Sequence, residues 1–349
     1  MKLKLLLTFD HELPLGGTRT SYHEALFEPT QRLFDLAASL KVPVVLFTDV
    51  LSALRFSEWD EEGFYIPYIQ QIQKAVNLGH DVQLHLHPHW LTSNFSNGAF
   101  VPSTDYKLAD FEHHPDYPVE RIIEMGKAFL DKEIKTQAPA YQCLAFRAGG
   151  YNLEGPRALI IKSLISQGIK YESSITKGYY FRSSLSEIDY REMPGTANWM
   201  IGENGNIRYN AASGLQEVPI ASIPKTPFEV PTRFKLKKLA HQAPPDRGFQ
   251  IHEGKPADFI SRIRMMFSAR MLSFDNYTLD TAYLMRILNH NVKKYAHEKE
   301  VRLCVSGHPK SMGDYSFSLM ESFVSNVRKS YPDAEFTTFR HLYNLDYPS

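Results

Sequence analysis

The chain has 349 residues, 43% hydrophobic and 13% aromatic, enough for a large core and within the length that α/β barrels reach as single units. Thirty-nine Lys and Arg cancel thirty-nine Asp and Glu, so no global field points to nucleic acid. The two cysteines, Cys143 and Cys304, sit in apolar segments and argue against a disulfide framework, and no stretch has the length of a membrane span.

Leu3 to Phe9 is a short apolar run suited to a buried strand, and it ends on three polar residues, Asp10-His11-Glu12. The basic start at Lys2 and Lys4 lacks an adequate apolar run before Asp10, so the N-terminus reads as a first strand rather than a signal peptide. A soluble, cytoplasmic protein is the expectation. Helical spacing over Ser21–Leu40, a strand at Val42–Phe47 and a helix over Tyr65–Leu78, stopped by Gly79, continue a β-α-β start. The third strand is then Gly79-His80-Asp81-Val82-Gln83-Leu84-His85-Leu86-His87-Pro88-His89-Trp90, where four of the fourteen histidines fall within ten residues. In an extended chain, period-2 spacing would put His85, His87 and His89 on one side, and neutral imidazole is a ready metal ligand.

Residues 91–117 are polar and read as a long loop of the kind that shapes a substrate site. A helix over Val119–Ile134 leads to a strand at Tyr141–Phe146 that delivers Arg147-Ala148-Gly149-Gly150-Tyr151. A helix over Pro156–Ser166 precedes a strand at Gly168–Ser174 containing Glu172, and Leu215–Ile220 is a further short strand. Residues 221–275 differ: proline recurs, and Arg233–Arg270 holds nine Lys or Arg against three acids on an otherwise neutral protein. Leu236, Leu239, Met265, Met266 and Phe267 interleave with those cations, a mixture that suits a solvated face or contact with an anionic lipid- or nucleotide-linked molecule. Helix Asp280–His297, strand Val301–Val305 ending in Ser306-Gly307-His308-Pro309-Lys310, helix Ser316–Ser330 and strand Phe336–Thr338 complete the chain.

Strands alternating with helices imply a parallel sheet with right-handed crossovers. Asp10, His85, Arg147, Glu172 and His308 all stand where a strand ends, and in a parallel barrel those ends gather on one face. Ordered over residues 8 to 308, the motifs resemble those of the NodB-type polysaccharide deacetylases, carbohydrate esterase family four. Thr8-Phe9-Asp10-His11-Glu12 is similar to the first motif, Thr-Phe-Asp-Asp-Gly. Gly79-His80 leading to His85-Leu86-His87-Pro88-His89 is similar to the second, His-(Ser/Thr)-x-x-His. Phe146-Arg147-Ala148-Gly149-Gly150-Tyr151 echoes Arg-x-Pro-(Tyr/Phe), and Leu303–His308 resembles the apolar strand that ends in a histidine. The overall look resembles the outlying members found with O-antigen biosynthesis genes more than the secreted chitin or peptidoglycan enzymes.

The resemblance implies a distorted (β/α)7-type barrel over residues 1–349 as one domain, with a basic, proline-containing insertion at about 221–275. It also implies a metal-dependent N-deacetylase, with Zn²⁺ the expected divalent ion and an N-acetylated sugar or polysaccharide precursor, lipid- or nucleotide-linked, as substrate. Peripheral membrane contact fits such a carrier; a transmembrane segment and a nucleic-acid partner are not expected. By resemblance His85 and His89 hold the metal, Asp10 is the base, His308 the acid, and Arg147 orients the base carboxylate. Trp90 and Tyr151 would meet the sugar, although Trp90 serves equally well as a core aromatic.

The sequence departs from the family at three places. His11 stands where the family has its metal aspartate, so the third ligand is either Glu12, the favoured choice, or His11. His87 is an extra candidate ligand, assigned to the substrate side or to support of the ligands. No Asp-Trp motif supports the acid histidine, and Glu172 is the substitute. Glu217 reads as a solvated strand residue, and His113-His114 carry no expected role. A barrel hydrolase acting on another C–N bond, such as a cyclic amide, and an inactive carbohydrate-binding relative are the competing readings.

Overall fold

The computed structural model describes residues 1–96, 99–226, 233–249 and 258–348. Residues 227–232 and 250–257 of the expected insertion, with Pro227, Pro231 and Lys255 among them, lie outside the described residues.

The first three strands are β1 (Lys2–His11), β2 (Val45–Asp49) and β3 (Asp81–Leu86), followed by β4 (Ala145–Ala148), β5 (Tyr171–Glu172), β6 (Trp199–Ile201) and β7 (Leu215–Glu217). The last two are β8 (Glu300–Val305) and β9 (Glu335–Phe336). They form one sheet in the order β6-β7-β5-β4-β3-β2-β1-β8, with β9 also on β1. Every ladder is parallel except that of β6 with β7. Single parallel bridges, Thr176–Ile220 and Ile220–Cys304, carry the chain just beyond β7 across to β8. Seven parallel strands thus curl into a barrel whose last seam is stitched rather than laddered, the distorted (β/α)7 architecture.

Helices cover the outside: α1 (Glu28–Leu40), α2 (Val50–Trp59) and α3 (Ile66–Asn77), then α4 (Val119–Lys135) and α5 (Arg157–Ser166). Beyond them come α6 (Phe259–Met266), α7 (Thr281–Lys294) and α8 (Asp314–Ser330). α3 stops where its periodicity ends, because Gly79 takes φ +83° and lets Gly79 and His80 donate back to Val76 and Ala75. No helix among the described residues is long and apolar enough to cross a membrane.

Strands buried on both faces read as apolar runs, which is why Leu5–Leu7 of β1 and Val45–Phe47 of β2 carry no polar residue before the polar C-terminal ends. Period 2 then sorts the side chains. Leu5, Leu7 and Phe9 of β1, and Leu84 and Leu86 of β3, pack outward into the main core with the helices. Leu6, Val45, Phe47, Ala145, Tyr171 and Cys304 form a separate cluster inside the barrel. Continuing the inward rows toward the strand ends leads to Thr8 and Asp10, Asp49, Gln83 and His85, and Arg147.

β5 and β7 bring Glu172 and Glu217 opposite each other on the face away from Tyr171, and both are fully buried. Glu217 is therefore not a solvated strand residue. Burial first, and then the negative charge of Glu172, push its carboxyl well above the usual range. The folded protein holds a proton there that the unfolded chain releases above the ordinary carboxyl range, so stability falls as pH rises through that window. Glu217→Gln is expected to flatten this dependence: between about pH 5 and pH 8 the wild-type melting temperature should fall further than that of the variant. Equal slopes in thermal melts would count against the pair.

Candidate active site

At the centre of the barrel mouth lies Arg147, fully buried. Its Nε donates to the Ser173 carbonyl at 2.8 Å, one terminal nitrogen to Asp10 Oδ1 at 2.6 Å, and the other to Thr8 Oγ1 at 2.8 Å and Ser173 Oγ at 3.2 Å. The guanidinium also stacks over Phe47, 4.1 Å from the ring centroid. A charge this deep is tolerable only because nearly all its donors are satisfied. Burial would raise the Asp10 carboxyl, but Arg147, His85 and His308 outweigh it and hold the group well below the usual range.

Asp10 and Glu12 lie two residues apart along an extended chain and so point the same way, while His11 points oppositely. Its ring sits against Tyr68, 4.9 Å between centroids, and Nε2 bonds Gln71 Oε1 at 2.9 Å. Burial lowers it to about 4. The structure thus brings Glu12 into the cluster and leaves His11 in the helix layer.

The histidine run does not stay extended. β3 ends at Leu86, Pro88 adopts helical angles (φ −63°, ψ −21°), and His89–Thr92 is one helical turn. Asp49, at the end of β2, holds that corner: Oδ2 accepts from the Trp90 indole at 2.6 Å and Oδ1 from the His87 backbone at 3.3 Å. His85 and His87 keep the inward direction, with their Nε2 atoms 3.0 Å apart. Glu12 Oε2 contacts His87 Nε2 directly and lies 3.4 Å from His85 Nε2. One potential ligand atom each from Glu12, His85 and His87 fall within 4.8 Å of one another, all buried. His89 is turned out of this group, its ring 4.8 Å from Trp90 and 5.9 Å from Tyr106, where burial lowers it to about 3.

The ligand chemistry of this trio suits a divalent cation such as Zn²⁺. His85 Nδ1 is 2.9 Å from the Arg147 carbonyl, which can only accept, so in neutral His85 the Nε2 lone pair faces Glu12 and His87. Glu12 Oε2 is buried with no hydrogen-bond donor besides those imidazoles. Two nitrogens and a carboxylate form the common three-ligand set with open positions. Burial would raise the Glu12 carboxyl, but Lys310, His87 and His85 hold it well below its usual range.

Across the mouth, His308 Nδ1 bonds Asp275 at 2.5 Å, and its Nε2 lies 3.4 Å from Asp10 and 3.6 Å from Glu12. Burial lowers its affinity for a proton, yet Asp275 and Asp10 carry it up to about 10, so the ring is cationic at neutral pH. The carboxylate behind His308 is therefore Asp275 and not Glu172, which faces away from the barrel interior and accepts from Ser174 N at 2.9 Å. Trp90 is likewise core rather than mouth, 1% exposed and packed on Phe100. Tyr151, at φ +59°, sets its hydroxyl 3.4 Å from His308 Nε2 and its ring centroid 5.7 Å from Arg147.

A cleft of about 190 Å³ opens over this group, with His87 and Lys310 on its floor and Tyr106, Asn152, Phe181 and Ile188 among its walls. Tyr106 and Lys107 come from the long polar loop expected to shape the substrate site. Gly149 lines the cleft as well, and a Cβ there would lie 2.5 Å from the Leu86 carbonyl and 2.8 Å from His87 Nδ1.

Three residues of the constellation escaped the sequence reading. Asp49 ends an apolar strand as Asp10 does, and that signal was available. Lys310, 2.9 Å from Glu12, stands two residues after His308. Asp275 follows Met271-Leu272-Ser273-Phe274 inside a stretch read for its basic charge.

The sequence matches no family model and no curated protein. Among solved structures, it is similar in fold to a protein described as a polysaccharide deacetylase from Mycobacterium smegmatis, at 12% identity and TM-score 0.49 over 98% of this chain and 88% of that one. PuuE allantoinase is similar at 11% identity and TM-score 0.49, over 99% and 92% of the two chains. A polysaccharide deacetylase described from Pseudomonas aeruginosa PAO1 gives 11% identity and TM-score 0.46 over 99% and 92%. These similarities are remote, and the activity has to follow from the site.

Removing Arg147 strands a buried carboxylate and three acceptor groups. Arg147→Leu is expected to cost about 3–5 kcal/mol of unfolding free energy, read from urea titration. Arg147→Lys should recover only part of it, since a point charge cannot span Asp10, Thr8 and Ser173 together.

Proposed function

We propose that this protein is a metal-dependent hydrolase of amide C–N bonds that removes acetyl from an N-acetylated sugar or polysaccharide precursor. The observation that carries the proposal is the convergence, at one barrel mouth, of a two-histidine carboxylate trio with two separate proton-handling groups. Asp10 is held ionised by Arg147, and His308 is held protonated by Asp275.

Glu12, His85 and His87 would hold the ion, His87 replacing the His89 that family spacing selects. A divalent cation bound there supplies Lewis acidity toward the amide carbonyl and lowers the pKa of water. Asp10 is the general base: Oδ1 is fixed by Arg147, which leaves Oδ2 to take a proton from the attacking water. His308 is the general acid, its Nε2 proton directed at the mouth while Asp275 steadies the other nitrogen, and it protonates the departing amine. Tyr151 is positioned to steady either His308 or the substrate oxygen by its hydroxyl. The aromatic and polar cleft walls suit a sugar ring, and Lys310 suits an anionic carrier on that sugar. Zn²⁺ is the metal we assign, on the nitrogen-rich ligand set.

Purified protein should retain about one equivalent of metal. His87→Ala should lower Zn²⁺ affinity by at least about tenfold in chelator competition, whereas His89→Ala should leave it within about twofold. The reverse order would restore the family spacing, and failure of wild type to bind metal would remove the metal-dependent reading. Asp10→Asn is expected to cut acetate release from N-acetyl-sugar substrates by about 10²–10⁴, and Asp275→Asn by a smaller factor with a shifted pH profile. Ring opening of cyclic amides without acetate release would assign the site to another C–N bond; sugar binding without turnover in metal-loaded protein would make it a binding module.

A further inference from the structure

Soluble helices bury their apolar side; α6 does the opposite. Its one buried residue is Ser261, whose hydroxyl bonds Asp258 Oδ2 at 2.7 Å and lies 3.2 Å from the Tyr180 hydroxyl. Phe259 is 76% exposed, Ile260 61% and Ile263 41%, and Met266 and Phe267 are exposed beside them. Of the thirteen large hydrophobic residues exposed among the described residues, five lie on α6 or directly after it, so the apolar surface is concentrated on this helix rather than scattered.

The charge on that surface is predominantly positive, with the capping carboxylate of Asp258 at its edge paired to Arg182. Arg262 and Arg264 sit within α6, and no acidic residue occurs between Asp258 and Asp275. The short helix Arg233–Lys238 repeats the composition, with Phe234 80% exposed among Lys235, Lys237 and Lys238. Aromatic and branched apolar groups interspersed with cations match the boundary between anionic headgroups and acyl chains. A protein partner of ordinary composition would not call for an apolar face rich in cations.

Its position links it to the cleft. α6 is capped and seated against the hairpin Tyr180–Arg182/Glu187–Asp189, with the Arg264 guanidinium 5.9 Å from the Tyr180 ring centroid. The neighbouring residues of that hairpin, Phe181 and Ile188, line the cleft over His87 and Lys310. We propose that α6 is a membrane-docking element that lays its apolar face into an anionic lipid surface. This surface assignment does not depend on the reaction assigned to the site.

The test is co-sedimentation of the full-length protein with vesicles of phosphatidylcholine alone and of phosphatidylcholine containing phosphatidylglycerol. Binding should be at least about tenfold stronger to the anionic vesicles and should weaken at high salt. Phe259→Gln combined with Ile263→Gln and Phe267→Gln should abolish it, and Arg262→Gln with Arg264→Gln should remove the preference for anionic lipid, both with unchanged thermal melting. Absence of binding to either vesicle overturns the proposal. So does undiminished binding by the folded triple variant, or a concentration-dependent dimer in sedimentation velocity that the triple variant dissolves.

Discussion

A single ion pair at the barrel's centre organises this protein. Arg147 and Asp10 come from strands that are not neighbours, and their 2.6 Å contact spans the interior between them. Two buried charges are expensive, and this pair is compensated by Thr8, Ser173 and the Phe47 ring rather than by the ion pair alone. The Arg147 backbone carbonyl meets His85 Nδ1, so one residue fixes the ionisation of Asp10 and the orientation of a candidate metal ligand. Whatever holds Arg147 in place holds both halves of the site.

Around that pair the mouth is electrostatically partitioned. Glu12 lies between imidazoles and the Lys310 ammonium, which keep it ionised despite burial, and His308 lies between Asp275 and Asp10, which keep it charged. Opposite requirements, a carboxylate free to accept and an imidazolium free to donate, are met a few ångströms apart because each group has its own counter-charge. Asp49 makes a quieter contribution. By holding the Trp90 indole and the His87 amide, it stabilises the corner that ends the histidine strand and directs His87 and His89 to different places.

The cleft is built from parts unrelated in sequence: the polar loop after β3, the Gly149-Gly150 turn after β4 and the hairpin that follows β5. Gly149 shows how close the tolerances are, since a methyl group there would strike both the Leu86 carbonyl and the His87 ring. The same hairpin supports the exposed helix α6 on the side away from the cleft. One small element thus contributes both to the cleft wall and to the seat of α6.

Much was legible in one dimension. Apolar runs of strand length that end abruptly on Asp10, His85, Arg147 and His308 mark both a parallel barrel and the end where its polar cluster gathers, because the C-terminal ends of parallel strands meet at one mouth. Ligand type favours Glu12 over His11 in the sequence, since a carboxylate there keeps the charge of the family's aspartate, and the alternation of β1 places Glu12 in the cluster. What could not be read was anything that depends on where the chain turns or which strands become neighbours. That His87 and not His89 stands beside Glu12 and His85 comes from helical angles at Pro88, which an extended chain would not have. The partnership of Asp275 with His308, and of Glu172 with Glu217, follows from strand order and facing. Hydrogen bonding between residues 33 positions apart, or burial of carboxyls on adjacent strands, leaves no periodic trace in the sequence. Local chemistry determined the inventory of the site; barrel closure decided which members meet.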